Sequence, residues 1–399
     1  MTHFLTRVRM VLRGGKRDSM SAVPKYSGLK QLPSHVFATI LASCDLKDIG
    51  SLSLCCRALH DRISRLEFAI AWAYIQLRKN MHPQSPCING TLSPGDDLSF
   101  ISELFPPPPP EYSTGVAHEN AGYSLGYLGD LKRCWNTCIR LSHHLADHVV
   151  RHHLETDAIA QPLWSSSKLK KEFKTEKEVI SEKEVVYSKA MASLQAKLLY
   201  PIAYAVFFLE SSASPDSDSD HSDHHHKNIV DSVERQKSIL RNAPFDDTHI
   251  FLSTHHCMQL LFSTVQRLMG PEIPHSTAES WISLLLTTST MERIVSFFVS
   301  IAKDDQKKQK GKHDSTWSHR KEFLWAMRRD LNEYMASFSE HGEQTSLEPK
   351  LNHVWFQAAC SEMDRRGAIP HTVEDTEVHV LHGSVVKLEC EYCYDCYDE

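Results

Sequence analysis

The chain has 399 residues, 41% hydrophobic and 24% charged, which is room for roughly two to three domains at about 150 residues each and excludes a wholly disordered chain, a collagen-like rod or a coiled coil. Lys and Arg number 44 against 50 Asp and Glu, so the net charge of -6 carries no large counter-charge for nucleic acid, and no nucleic-acid partner is expected. The longest apolar run, residues 198–209, is shorter than the ~18 residues of a spanning helix, no secretory signal is legible, and 11 cysteines in so long a chain point to a reducing compartment; no membrane association is expected.

Residues 1–26 form a basic flexible tail. Arg7, Arg9, Arg13, Lys16 and Arg17 stand there against Asp18, with apolar residues between them. The composition resembles a mitochondrial presequence, but short charge runs are usually solvated, and that is the reading taken. From Leu32 the pattern becomes dense. Val36 with Ile40 and Phe37 with Leu41 are i,i+4 pairs behind a Pro33-Ser34 helix start. A break at Cys44 and Asp45 follows. Leu46, Ile49 and Leu52 then recur at i,i+3, and Cys55, Leu59, Ile63 and Leu66 continue on a third helix. Three helices in about 35 residues do not close a stable core without help, since chains below roughly 40 residues usually need a partner or a staple. By periodicity alone, an ordinary three-helix corner of a larger domain is the favoured reading.

Taken together and in order, Leu32-Pro33, Val36, Ile40-Leu41, Asp48-Ile49, Leu52 and Cys56-Arg57-x-Leu59 resemble the F-box, with its opening Leu-Pro and closing Cys-Arg-x-hydrophobic. Cys44 departs from that pattern where a large aliphatic usually closes the first helix, and Leu46 departs where a proline often opens the second. The smaller Cys44 is expected to weaken packing by about 1 kcal/mol and to lower affinity without abolishing it. The resemblance implies docking to the Skp adaptor of a cullin-RING ubiquitin ligase through Leu32, Pro33, Val36, Ile40, Leu41, Leu46, Ile49, Leu52, Cys56, Arg57 and Leu59. The rest of the chain would then recruit an unknown protein substrate for ubiquitination. It implies an adaptor rather than an enzyme, needing no cofactor and working in the cytoplasm or nucleus. A Skp-binding scaffold outside ubiquitin ligation is the alternative, and an all-α metal-binding protein a further one.

Residues 67–79 continue as helix and complete a first unit, 27–79. Residues 80–122 read as a Pro-rich linker. Pro106 to Pro110 enforce polyproline II, because ring-locked dihedrals and missing donors forbid helix or ladder. Phe105 with these prolines and Glu111 also resembles an EVH1-domain ligand. Residues 123–399 are expected to form one large α-helical domain, with helices near 125–154, 169–209, 231–241, 248–269, 277–302, 316–338 and 351–366. Residues 211–227, rich in Ser, Asp and His, read as a disordered insert. No WD40, kelch or leucine-rich period recurs. The expected fold class is therefore all-α: a three-helix F-box, a large helical domain and a short C-terminal β-hairpin around His382-Gly383-Ser384.

Two clusters invite a metal reading. His144, His148 and His152 share a helix face at i,i+4, yet a zinc enzyme would also need a carboxylate base and an open coordination position, no HExxH is present, and a polar face of a His-rich chain is the simpler account. Cys390, Cys393 and Cys396, with His379 or His382, have ligand types but no second CxxC pair. No metal site is assigned. There is also no GxSxG, P-loop, GxGxxG or kinase set, so the parts for acyl, phosphoryl or dinucleotide chemistry are missing.

Overall fold

The computed structural model describes residues 32–81, 97–108, 122–156, 176–213, 228–269, 273, 281–283, 285, 291–309, 318–339 and 354–367. The described residues are helical, with no strand among them. The expected C-terminal hairpin, the Cys390, Cys393 and Cys396 cluster, the basic tail and residues 214–227 lie outside them.

The chain divides into two compact units, 1–74 and 75–399. The first contains α1 (Ser34–Ala42), α2 (Leu46–Cys55), α3 (Arg57–Arg65) and the opening of α4 (Glu67–Met81), within which the division falls. Helix starts and stops follow the residue types. Pro33 precedes the first turn of α1 with φ -54° and ψ 146°, and Cys56, extended at φ -163° and ψ 155°, separates α2 from α3. Cys55 therefore closes α2 instead of opening α3, and the expected third-helix stripe begins at Leu59. The carbonyl of Cys56 receives the Leu59 and His60 amides at 3.1 Å, so one backbone corner both ends a helix and starts the next.

The second unit holds α5 (Leu98–Leu104), α6 (Leu125–Thr156), α7 (Glu176–Ala213), α8 (Asn228–Arg241), α9 (Thr248–Met269), α10 (Glu292–Gln309), α11 (His319–Ser339) and α12 (Phe356–Arg365). Along α6, Leu128, Leu131, Trp135, Cys138, Leu141, Leu145 and Val149 recur every three or four residues, and all are buried. That stripe packs mainly against α7, with α5, α9 and α10 also against α6. Helix α7 answers with Leu198, Leu199, Ile202, Ala203, Val206 and Phe208, all at most 2% exposed. Tyr187–Ser212 is long and apolar enough to cross a bilayer by length and composition, a window the unbroken run 198–209 does not reveal; 56% of it is buried inside the fold.

The stretch expected to be linker contains α5. Asp97 caps it, accepting the Phe100 amide at 3.3 Å, and also receives the Tyr200 hydroxyl at 2.9 Å from α7. Leu98, Ile101 and Leu104 are buried, and the Phe100 ring meets Trp135, Tyr200 and Tyr204 edge-on. A seven-residue helix is unstable alone, so tertiary packing supplies what local propensity does not. Phe105 is likewise part of the fold. Its ring contacts Phe207 at 5.6 Å and its carbonyl accepts the Tyr127 hydroxyl at 2.7 Å, so the EVH1-like motif has its aromatic residue already engaged.

Two long-range polar links lock the later helices. Asp304 of α10 caps α11, accepting the His319 and Arg320 amides at 2.9 and 3.0 Å and the Ser318 hydroxyl at 2.6 Å. Burial alone would raise its pKa, but those hydrogen bonds outweigh it and hold the carboxyl below its ordinary value. Glu362 of α12 is 1% exposed and lies among Arg241, Arg365 and Arg366, at 3.4, 2.5 and 2.7 Å. Arg366 also donates to the Leu240 carbonyl at 2.7 Å and lies 4.7 Å over the Phe251 ring, tying α12 to α8 and α9.

The hydrogen bonds from Arg365, opposed by burial and joined by those from Arg366, pull the Glu362 carboxyl down to about 2. A depressed acid stabilises the fold above its ordinary value of 4.5 and loses that contribution as pH falls toward 2. Glu362→Gln is expected to cost about 3 kcal/mol at pH 7, because it leaves the arginines without their counter-charge, and to remove this part of the acid dependence. Urea unfolding of both proteins at pH 7 and pH 3 checks it; a variant as stable as the parent at pH 7 would contradict the role assigned to the carboxylate.

Candidate partner-docking site

In the first unit the apolar residues sort into two sets. Phe37, Ala38, Leu41 and Ala42 of α1, Ile49 of α2, Leu59 and Ile63 of α3, and Ile70, Ala71 and Tyr74 of α4 are buried and form the core. The Arg62 guanidinium lies 4.3 Å over the Phe37 ring and donates to the Leu32 carbonyl, fastening α3 to the approach of α1. Through that double contact the Leu32-Pro33 opening is held against the helix that closes the motif.

The second set faces outward. Pro33, Ile40 and Arg57 are exposed, and Leu32, Val36, Leu46, Leu52 and Cys56 are half-buried. Ile40 is 39% exposed, although its i,i+4 pairing with Val36 reads like a core stripe. The two pairs on α1 thus divide the work: Phe37 and Leu41 hold the module together, while Val36 and Ile40, with Pro33 one turn earlier, share another face. Of the eleven residues expected to meet a partner, Leu41, Ile49 and Leu59 are buried in the core. Their truncation would act by loosening the module.

Three outward residues escape the motif. Leu54 is 85% exposed, and Phe68 and Trp72, an i,i+4 pair on α4, are 38% and 48% exposed. Leu54 is out of phase with Leu46, Ile49 and Leu52, which was the available signal; for Phe68 and Trp72 no local pattern separates an outward pair from an inward one. Among the described residues, four of the six large hydrophobic side chains left exposed belong to this unit. Cys44 replaces the usual aliphatic contact with a polar one, its thiol donating to the Ile40 carbonyl at 3.3 Å. Burial and the nearby Asp48 raise the thiol above its ordinary value, so it stays a protonated donor.

The histidine face of α6 is built for packing. The His144 ring stacks on Phe298 at 6.0 Å and His148 on His152 at 6.4 Å. Burial, with Arg267 and His152 adding, pushes His148 down to about 4, so it is neutral near pH 7. Among the described residues no three His, Cys, Asp or Glu side chains are grouped to hold a metal.

A small helical module with a closed core and a residue of outward apolar side chains has the build of a protein-docking element. Residues 29–70, about a tenth of the chain, match the F-box domain family, and this part of the protein is an F-box domain. F-box domains are in general Skp-binding elements of Skp-cullin-F-box ubiquitin ligases, and adaptors rather than enzymes. No curated protein and no solved structure matches the chain.

The two sets predict opposite phenotypes. Ile49→Ala is expected to lower stability by about 2–4 kcal/mol through a core cavity, whereas Ile40→Asp changes stability by less than about 0.5 kcal/mol. Chemical denaturation followed by circular dichroism separates them. An Ile40→Asp variant as unstable as Ile49→Ala would show that Ile40 belongs to the core.

Proposed function

We propose that the protein is the substrate-recognition adaptor of a Skp-cullin-F-box ubiquitin ligase, with the 29–70 module on the Skp adaptor and the helical second unit recruiting a protein substrate. The observation that carries the reading is the outward apolar set on a module that matches the F-box domain. Apolar side chains left outside a complete core are what helix-in-groove association consumes, each contributing roughly 1.5–3 kcal/mol on full burial before association costs. Pro33, Val36, Ile40, Leu46 and Leu52 are the proposed contacts, and Leu54, Phe68 and Trp72 extend the apolar surface beyond the motif. Cys56 ends α2 in an extended conformation, which sets where Arg57 begins the next helix and so where its exposed side chain meets a partner. The proposed working compartment is the cytoplasm or nucleus, and the second unit acts as a binding surface without chemistry of its own. Membrane and nucleic acid have no part in this reading, which draws on the net charge of -6 and on the burial of the apolar helix α7 inside the fold.

The direct measurement is co-purification with the Skp adaptor and cullin. Wild-type protein is expected to bring down both, and Ile40→Asp, folded by circular dichroism, is expected to bind Skp at least tenfold more weakly. Failure of the wild type to bind Skp at micromolar concentration would overturn the proposal. Skp without cullin would identify a scaffold outside ubiquitin ligation instead.

A further inference from the structure

Among the described residues, helix α11 carries the other large aromatic left in solvent. Leu324 and Met327 are 4% and 1% exposed and form its buried seam, Phe323 meets Phe297 of α10 at 5.4 Å, and Asp330 pairs with Arg293 of α10. These contacts fix which way α11 is turned. At about 100° per residue, the opposite arc holds Lys321, Glu322, Trp325, Arg328 and Arg329, all of them exposed, and Trp325 falls in the middle of it. The indole is 73% exposed. It is the side chain least expected there, since burying an indole is favourable and Trp residues are highly buried on average.

The neighbours are cations. Lys321 stands one turn before Trp325, and Arg328 and Arg329 stand one turn after it, against the single acid Glu322. Arg329 is 72% exposed and shares Asp330 with Arg293, its Nε lying 3.8 Å from that carboxylate. Trp and Arg are the residues most enriched at interface hot spots, and guanidinium groups bind carboxylates bidentately. The cap from Asp304 and the ion pair from Arg293 to Asp330 anchor α11 before anything binds, so docking orders side chains and not the helix backbone.

We infer that the Lys321, Trp325, Arg328 and Arg329 face of α11 is a docking site for an acidic protein segment that carries an apolar residue to cover the indole. The inference takes from the proposed function that the second unit is where a substrate is met. Charge complementarity selects the occupant. A duplex nucleic acid needs a longer basic track than three cations interrupted by Glu322, on a chain whose net charge is -6. A second copy of the chain would have to oppose like charges if it used the same face.

The test uses the full-length protein and a fluorescein-labelled twelve-residue peptide of Asp and Glu with a central Leu, followed by anisotropy. The acidic peptide is expected to bind, a Lys-rich peptide with the same central Leu is not, and raising the salt weakens the complex. Trp325→Ala and, separately, Arg328→Glu with Arg329→Glu are each expected to weaken binding at least tenfold while leaving the melting temperature and Skp binding unchanged. Equal binding by the wild type and both variants, or no binding at high micromolar peptide, would overturn the inference. So would a duplex oligonucleotide that binds more tightly with the same dependence on Trp325, or a wild-type dimer that Trp325→Ala dissociates. Loss of Skp binding in Ile40→Asp with peptide binding intact separates this site from the F-box reading.

Discussion

The second unit depends on the burial of one indole. Trp355 is fully buried, and its ring meets Phe208 at 4.6 Å, Phe245 at 6.0 Å and Phe251 at 6.2 Å, while its Nε1 donates to His255 Nδ1 at 3.1 Å. Those partners come from α7, the turn after α8, and α9. A residue near the end of the described chain therefore joins helices that begin more than a hundred residues earlier. An indole N–H buried without an acceptor is costly, and His255, itself fully buried, supplies one. The bond requires the neutral His255 ring to carry its proton on Nε2, so the same contact fixes a tautomer inside the core. Glu362, about two turns further along, repeats the logic with charge: a buried carboxylate is tolerable because three arginines from two segments close on it.

The first unit is governed by a different constraint. A module of this size has few interior positions, and α1 to α4 fill them with Phe37, Leu41, Ile49, Leu59, Ile63, Ile70 and Tyr74. Once these are placed, the remaining apolar side chains have nowhere to go but outward. The surplus follows from geometry, since short helices packed around one small core each show a second face to water. The motif read from the sequence mixes the two sets because they alternate along the same helices: Leu41 is inside and Ile40, its neighbour, is outside.

Legibility followed the length of the periodic signal. Helices α6 and α9 were readable almost to their ends because their apolar residues recur through many turns. Helix α5 was not, because seven residues within a Pro- and Ser-containing stretch offer one repeat of the pattern, and what stabilises it is Phe100 among Trp135, Tyr200 and Tyr204, residues remote in sequence. Cys55 was placed on the wrong helix for a related reason. Periodicity counts residues without knowing that Cys56 is extended, and one extended residue resets the phase. Of the docking site, the anchor set was visible and its division into core and surface was not. Leu54 is out of phase with the stripe of its helix and Trp325 stands among charged residues, and the packed neighbours show that each points outward.

That division shapes how each unit can recognise a partner. The first unit leaves Ile40, Leu54, Phe68 and Trp72 outside, an apolar surplus whose burial is insensitive to salt and gains strength with area. The second spends its apolar side chains on its own core, leaving Val185 and Trp325 as its exposed large hydrophobics among the described residues. The docking inferred at α11 is accordingly made chiefly by charge, arranged around an isolated aromatic. Such contacts are screened by salt and tuned by the partner's charge, so they release readily. Under the proposed adaptor role, a stable attachment at one unit and a readily exchanged one at the other would let many substrate molecules pass through a single assembled complex.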